Sequence, residues 1–186
     1  LFHPIQVPSV SAMSDWHVGT KLKQRWAGVV GEKRGQTAIT CTQHSYSYDA
    51  FNEIMETWRT RLDWSGTGII PIVAERNSNH VALIISCLVH EIPFIPIDAD
   101  TPKDRIELIE SLCGQKAVYP DSAEAIIPIL PNPVFAPRMA YAIATSGSTG
   151  VPKLVGVKRT GYEAAIDAWV TIIRRCQTIK SCKLYL

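Results

Sequence analysis

From Thr145 to Lys153 the chain reads Thr-Ser-Gly-Ser-Thr-Gly-Val-Pro-Lys, a run whose residue types suit the binding of an anion. Gly147 and Gly150 allow sharp backbone turns and a close approach to a ligand, so that several main-chain N–H groups can converge on one anion. Thr145, Ser146, Ser148 and Thr149 add hydroxyl donors, and Lys153 adds a compact positive charge. This is the composition of a phosphate cradle. It is not a Walker loop, because Gly-x-x-x-x-Gly-Lys-Ser/Thr cannot be aligned on it and the lysine follows a proline.

A flexible polar linker has a similar composition. The flanks argue against that reading: Ala140-Tyr-Ala-Ile-Ala144 is strand-like before the loop, and Leu154 to Lys158 is β-prone after it. Other chemistry is poorly represented. His3, His17, His44, His80 and His90 lack a nearby nucleophile signature. Cysteines at 41, 87, 113, 176 and 182 show no CxxC spacing, and their odd number fits no complete disulfide framework. They are expected to be reduced packing residues in a cytoplasmic protein, and no metal ligand is predicted.

The elements that must position the loop follow from periodicity. Val18, Leu22 and Trp26 outline an amphipathic helix, Thr37 to Cys41 a short strand, and Tyr48 to Arg61 a helix with Phe51, Ile54, Met55 and Trp58 on one face. Ile69 to Ala74 reads as a strand covered on both faces, with Pro71 indicating an edge or a strand start. Asn77 and Asn79 can cap a helix presenting Val81, Ile84, Ile85 and Leu88. Pro93 to Ile97 is a further strand, and Thr101 as N-cap with Pro102 opens a helix striped by Ile106, Ile109 and Leu112. Lys116 to Tyr119 is a brief strand. Residues 120–137 hold five of the twelve prolines and read as a surface connection with one short helix around Ala123 to Leu130. A last helix covers about Thr160 to Thr178. This alternation predicts an α/β fold, a mostly parallel sheet with helices on both faces.

Composition sets outer bounds. With 46% hydrophobic, 19% charged and 8% aromatic residues among 186, collagen, coiled coil and disordered tail are excluded. A net charge of +2 gives no basis for a nucleic-acid partner or a polybasic membrane surface. The longest apolar-leaning run, Val81 to Val89, is far short of the roughly 20 residues of a membrane helix. The chain opens on Leu1 without a secretory signal pattern, which suggests a start inside a longer product.

The Thr145–Lys153 stretch resembles the signature of the AMP-forming adenylating enzymes, a strand followed by Thr-Ser-Gly-Ser/Thr-Thr-Gly-x-Pro-Lys-Gly. That superfamily includes acyl-CoA synthetases, firefly luciferase and the adenylation domains of nonribosomal peptide synthetases. The match runs throughout Thr145 to Lys153, and Leu154 departs where the family usually has Gly. Two weaker likenesses lie upstream in the same order. Ser47-Tyr-Asp-Ala-Phe-Asn-Glu53 resembles an early Thr-Tyr-x-Glu-Leu-Asn segment, and Phe94-Ile-Pro-Ile-Asp98 with Pro102 and Arg105 resembles an Ala-Tyr-Val-Pro-Leu-Asp-Pro…Pro…Arg segment. Tyr48 is read as a core-facing aromatic, and Asp98 and Arg105 as a turn and helix-start pair. The Pro-Ile-Asp form leans toward amino-acid-activating members, and Leu154 is similar to the β-alanine-activating, aminoadipate-semialdehyde dehydrogenase-like branch.

The resemblance implies an N-terminal subdomain, with residues 1–186 an incomplete N-terminal portion of an AMP-binding adenylation domain and the C-terminal lid absent. It implies a parent that uses ATP and Mg²⁺ to convert a carboxylic or amino acid into an acyl-adenylate, then passes the acyl group to a thiol of CoA or of carrier-protein phosphopantetheine. On that reading Thr145, Ser146, Gly147, Ser148, Thr149 and Gly150 hold the β- and γ-phosphates, and Lys153 neutralises charge on departing pyrophosphate. The Mg²⁺ ligand, the acyl pocket, the ribose-binding aspartate and the lid lysine lie in family segments with no counterpart here, so the chain alone is expected to be inactive. The competing expectation is a truncated, non-catalytic nucleotide-binding or interaction module.

Overall fold

A computed structural model of the protein describes residues 21–41, 44–64, 66–74, 77–121, 126–132, 135, 138–145 and 152–178, with only the backbone described over 172–178. Val18 of the expected opening stripe lies outside these residues. Helix α1 (Lys21–Lys33) lays Leu22 and Trp26 against the core but fully buries none of its side chains. The Trp26 indole donates to Asn52 Oδ1 at 2.7 Å, which ties α1 to helix α2 (Tyr48–Arg61). Between them β1 (Thr37–Thr40) pairs antiparallel with β2 (Ser45–Ser47). Helix α2 keeps the span its periodicity predicts and buries Phe51, Met55 and Trp58, leaving Ile54 partly buried.

Strand β3 (Leu62–Trp64) follows, then β4 (Ile70–Ala74). Strand β4 is the outer strand of a four-stranded sheet, and its outward side hydrogen-bonds Val118, through Val73 N–H to Val118 O and Val118 N–H to Pro71 O. Pro71 thus has its missing donor on the edge side, where no ladder needs it. The strand expected over Lys116 to Tyr119 reduces to the single Ile72–Val118 bridge.

Helix α3 (Ser78–Val89) begins as the capping chemistry requires, Asn77 Oδ1 accepting the His80 N–H at 2.8 Å. Its buried residues are Ala82, Leu83, Ser86, Cys87, Leu88 and Val89, whereas Val81, Ile84 and Ile85 are partly buried. A helix apolar all round carries no pattern that selects the deeper face, so its packing selected it. Strand β5 (Phe94–Asp98) leads to helix α4 (Lys103–Cys113). Pro102, not Thr101, is the N-cap, because the Asp98–Thr101 turn brings the Pro102 carbonyl to the Arg105 and Ile106 N–H groups. The buried stripe is Ile106, Ile109 and Cys113, with Leu112 42% exposed. Cys113 stands two turns from Ile106 and completes that face.

Strand β6 (Ile127–Ile129) stands where the short helix is expected, and it pairs parallel with β3. Residues 123–125 of that expected helix lie outside the described ones. Three residues, Ile-Pro-Ile, carry no periodic signal; pairing with Leu62–Trp64 and burial of Ile129 define the strand. Strand β7 (Met139–Thr145), β8 (Lys153–Lys158) and helix α5 (Arg159–Thr178) complete the chain.

The main sheet has the order β4-β5-β7-β8, parallel as far as β7 and antiparallel at β8. One face packs Ile70, Ile72 and Phe94 against α2 and α3; the other packs Ile69, Val73, Ile95 and Ile97 against Ile106, Ile109 and Cys113 of α4. Each such aliphatic or aromatic burial stabilises by about 1.5–3 kcal/mol. Helices therefore cover both faces, as the alternation of elements predicts.

Candidate phosphate-binding hairpin

The two strands flanking the glycine and hydroxyl-rich loop are hydrogen-bonded neighbours. In register, Ile143 faces Val155, Ala144 faces Leu154, and Thr145 faces Lys153. The loop is thus the tip of an antiparallel hairpin, and its two ends are held on one rung of a sheet. Ser146, Gly147, Ser148, Thr149 and Gly150, all expected to bind phosphate, lie outside the described residues; Thr145 and Lys153 are described and brought together. The Thr145 hydroxyl donates to the Lys153 carbonyl at 3.2 Å. Both side chains are exposed, whereas Pro152 beside them is buried.

Opposed residues on an antiparallel pair share a face. Thr145, Lys153, Ile143, Val155, Tyr141 and Val157 therefore share one face, and Ala142, Ala144, Leu154 and Gly156 the other. Leu154 packs on the α4 side with Ala144, Met139 and Phe135, beside a cavity of about 260 Å³ also lined by Leu112 and Pro152. The departure from the expected Gly thus leaves the strand path regular and puts the added side chain on the face opposite Lys153.

The base of the hairpin is anchored at its far end. Arg159 follows β8, its N–H donates to the Arg138 carbonyl at 2.8 Å, and its guanidinium reaches the Leu88 and Met139 carbonyls at 3.4 Å each. Burial lowers its pKa, with Glu91 and Glu163 opposing the shift. Tyr162 meets Tyr141 edge-on at 5.9 Å, and burial, then the neighbouring phenol, push its own pKa up. These contacts seat α5 on the sheet.

The upstream segments supply a packing aromatic and a turn residue. Tyr48 is partly buried beside Trp26, ring centroids 6.1 Å apart. Asp98 Oδ1 accepts the Asp100 N–H at 3.0 Å in the turn before α4. What the sequence did not disclose is the Thr145–Lys153 rung itself, since only the length of the loop and its β-prone flanks point to a hairpin. Among the described residues no group of three or more His, Cys, Asp or Glu side chains could hold a metal ion. They do not form a Mg²⁺ site. Among the same residues no helix is long and apolar enough to cross a membrane.

No family model matches the chain. Vanchrobactin synthetase VabF of Vibrio anguillarum is 28% identical over 161 residues, which covers 73% of this chain and 6% of that protein. The N-terminal subdomain of Klebsiella oxytoca NpsA, solved in complex with 3-hydroxyanthranilyl-AMSN, superposes with a TM-score of 0.55 at 16% identity, over 74% of this chain and 40% of that one. The nonribosomal peptide synthetase FmoA3 in its AMPPNP-bound form superposes with a TM-score of 0.54 at 19% identity, over 74% and 17%. The chain spans between 2% and 31% of the length of the first three curated relatives.

The α/β fold is that of the N-terminal subdomain of NpsA and of the matching part of FmoA3. In sequence the chain is similar to synthetases such as VabF, CymA and PchE, and it resembles in fold the N-terminal subdomain of NpsA.

Proposed function

We propose that this chain is the phosphate-holding, N-terminal portion of an adenylation domain, acting within a longer enzyme that activates a carboxylic or amino acid with ATP. The observation that carries the reading is the Thr145–Lys153 rung, which joins the two ends of a loop of phosphate-binding composition. Residues 145–150 hold the β- and γ-phosphates with hydroxyl and main-chain N–H donors, and Lys153 supplies the opposing charge. A substrate carboxylate oxygen forms a bond to the α-phosphorus, the bond from that phosphorus to the bridging oxygen breaks, and pyrophosphate leaves with the electron pair. Lys153 neutralises the charge that builds on this leaving group.

Charge-assisted hydrogen bonds contribute about 1.5–3 kcal/mol each. A few of them support nucleotide binding but fall short of the roughly 8–23 kcal/mol of barrier lowering that enzymes achieve. The remainder belongs to other parts of the parent enzyme, which would then transfer the acyl group to a thiol, on a carrier-protein pantetheine or on CoA.

The test is acid-dependent ATP–pyrophosphate exchange in the full-length protein with Lys153→Ala. Exchange is expected to fall about 100-fold, the scale of losing one transition-state charge partner. The fold should persist, because Lys153 is exposed. Unchanged exchange would overturn the assignment of Lys153.

A further inference from the structure

Lys153 stands between two residues that turn to the opposite face of the hairpin. Pro152 is buried and Leu154 partly buried, and both line the apolar cavity of about 260 Å³ on the α4 side. There Leu154 packs against a buried cluster that includes Ile109, Cys113 and Phe135. Lys153 is exposed and shares its rung with Thr145. Leu154 and Gly156, two positions apart on β8, share the α4-side face. Gly156 brings no side chain to it, and a Cβ there would lie 2.5 Å from Met139 Cε, so Met139 fills that space. Of these two β8 residues, Leu154 alone ties the strand to the cluster, and it does so one residue from the lysine.

Three constraints thus meet at the Lys153 backbone. The Pro152 ring locks the torsion just before it. The Thr145 hydroxyl holds its carbonyl at 3.2 Å. The Leu154 side chain fastens the residue just after it. A glycine at 154, the residue of the signature this loop resembles, would remove the third constraint and add backbone freedom.

We propose that Leu154 is a positioning residue for Lys153: its side chain, seated in the α4-side cluster, anchors β8 at the closing rung of the hairpin, so that the lysine meets a polyphosphate already fixed in place. This rests on the reading of residues 145–153 as a phosphate loop. A group ordered in advance loses less conformational freedom when its ligand arrives, so the anchor is expressed as affinity for phosphate.

The probe is inorganic pyrophosphate with Mg²⁺, titrated into the full-length protein, with near-UV circular dichroism reporting the fold of each variant. Leu154→Gly is expected to weaken binding about three- to tenfold, the scale of ordering one backbone residue. Leu154→Ala loses the anchor without the added backbone freedom and should weaken it about two- to threefold. Leu154→Met should bind as the wild type does, because a flexible thioether of similar volume reaches the same cluster. In a Lys153→Ala background, Leu154→Gly should have no further effect, a cancellation that a merely structural role would not produce. Val157→Ala removes an apolar side chain from the same strand, opposite Tyr141, and should leave affinity unchanged.

Unchanged or tighter binding in Leu154→Gly and Leu154→Ala would overturn the proposal, and Leu154→Ala decides alone if Leu154→Gly does not fold. An equal loss in Val157→Ala, or a loss that persists in the Lys153→Ala background, would also overturn it by reducing Leu154 to general strand stability. If Lys153→Ala alone leaves pyrophosphate binding untouched, the phosphate-loop reading itself fails, a result distinct from all of these.

Discussion

The Thr145 hydroxyl donates to the Lys153 carbonyl across 3.2 Å, on the last rung before β7 and β8 part. The bond links the side chain that opens the loop to the backbone of the residue that closes it. While it holds, the Thr145 proton is shared with the loop mouth, and an arriving phosphate must draw it from the Lys153 carbonyl before the hydroxyl can donate to it.

Removing that bond tests the role. Thr145→Val keeps the β-branched shape that suits a strand and removes the hydroxyl. A neutral hydrogen bond contributes about 0.5–1.5 kcal/mol, so unfolding free energy should change by no more than that. The KM for ATP in the full-length protein should rise several-fold, and Thr145→Ser should restore it. Equal KM values for wild type and Thr145→Val would remove Thr145 from the site.

Gly68, just before β4, has φ +112°, and a Cβ there would lie 2.4 Å from the Leu130 carbonyl oxygen and 3.2 Å from Ile129 Cγ2. Gly68→Ala thus forces apart β4 and the β6 segment on top of its backbone strain of about 1–3 kcal/mol. Gly66 has φ +97° but open space around its Cβ, so Gly66→Ala incurs strain alone. Urea denaturation should show Gly68→Ala clearly the less stable of the two; equal stabilities would mean the close approach has no energetic weight.

Trp58, 1% exposed, donates its indole N–H to Asn79 Oδ1 at 2.7 Å, and Asn79 Nδ2 donates to the Pro120 carbonyl at 2.9 Å. Asn79 therefore joins α2, α3 and the start of the 120–137 connection. Asn79→Leu strands two buried partners, and the expected loss is about 1–3 kcal/mol per unsatisfied group. Chemical denaturation measures it, and a loss below about 0.5 kcal/mol, the range of ordinary surface changes, would show that water replaces the bonds.

His90 caps the end of α3, its side chain 9% exposed, with Nε2 3.5 Å from Glu56 Oε1. Burial lowers its pKa; Glu56 pulls it back up, and Arg59 and Lys23 push it down. A folded-state pKa below the unfolded value of about 6.5 means that the fold prefers neutral imidazole. That contribution is complete above pH 6.5 and is lost as pH falls through the folded-state value. Melting temperature should drop between pH 7 and 5 more steeply for the wild type than for His90→Gln, and parallel curves would contradict the assignment.

Much of the fold is legible in local pattern. Helix α2 occupies Tyr48–Arg61 because its apolar residues recur at helical spacing between clear boundaries, and β4 is an edge strand because Pro71 cannot serve a central ladder. The loop chemistry at 145–153 is equally local, a matter of residue types in order. Strands β2, β3 and β6 were not visible, since each has three residues and exists through its partner. The Thr101 to Pro102 shift at the start of α4 follows from a turn whose hydrogen bonds no periodicity encodes.

The sequence by itself determined which residues can form helices and strands and which loop can cradle an anion, because backbone preference, side-chain period and donor chemistry reside in consecutive residues. Tertiary structure alone decided that Thr145 faces Lys153. Register between strands is set by the packing of residues far apart in the chain, here Phe94 on Tyr141 and Tyr141 beneath Tyr162, and a one-residue slip of β8 along β7 would turn Thr145 and Lys153 to opposite faces.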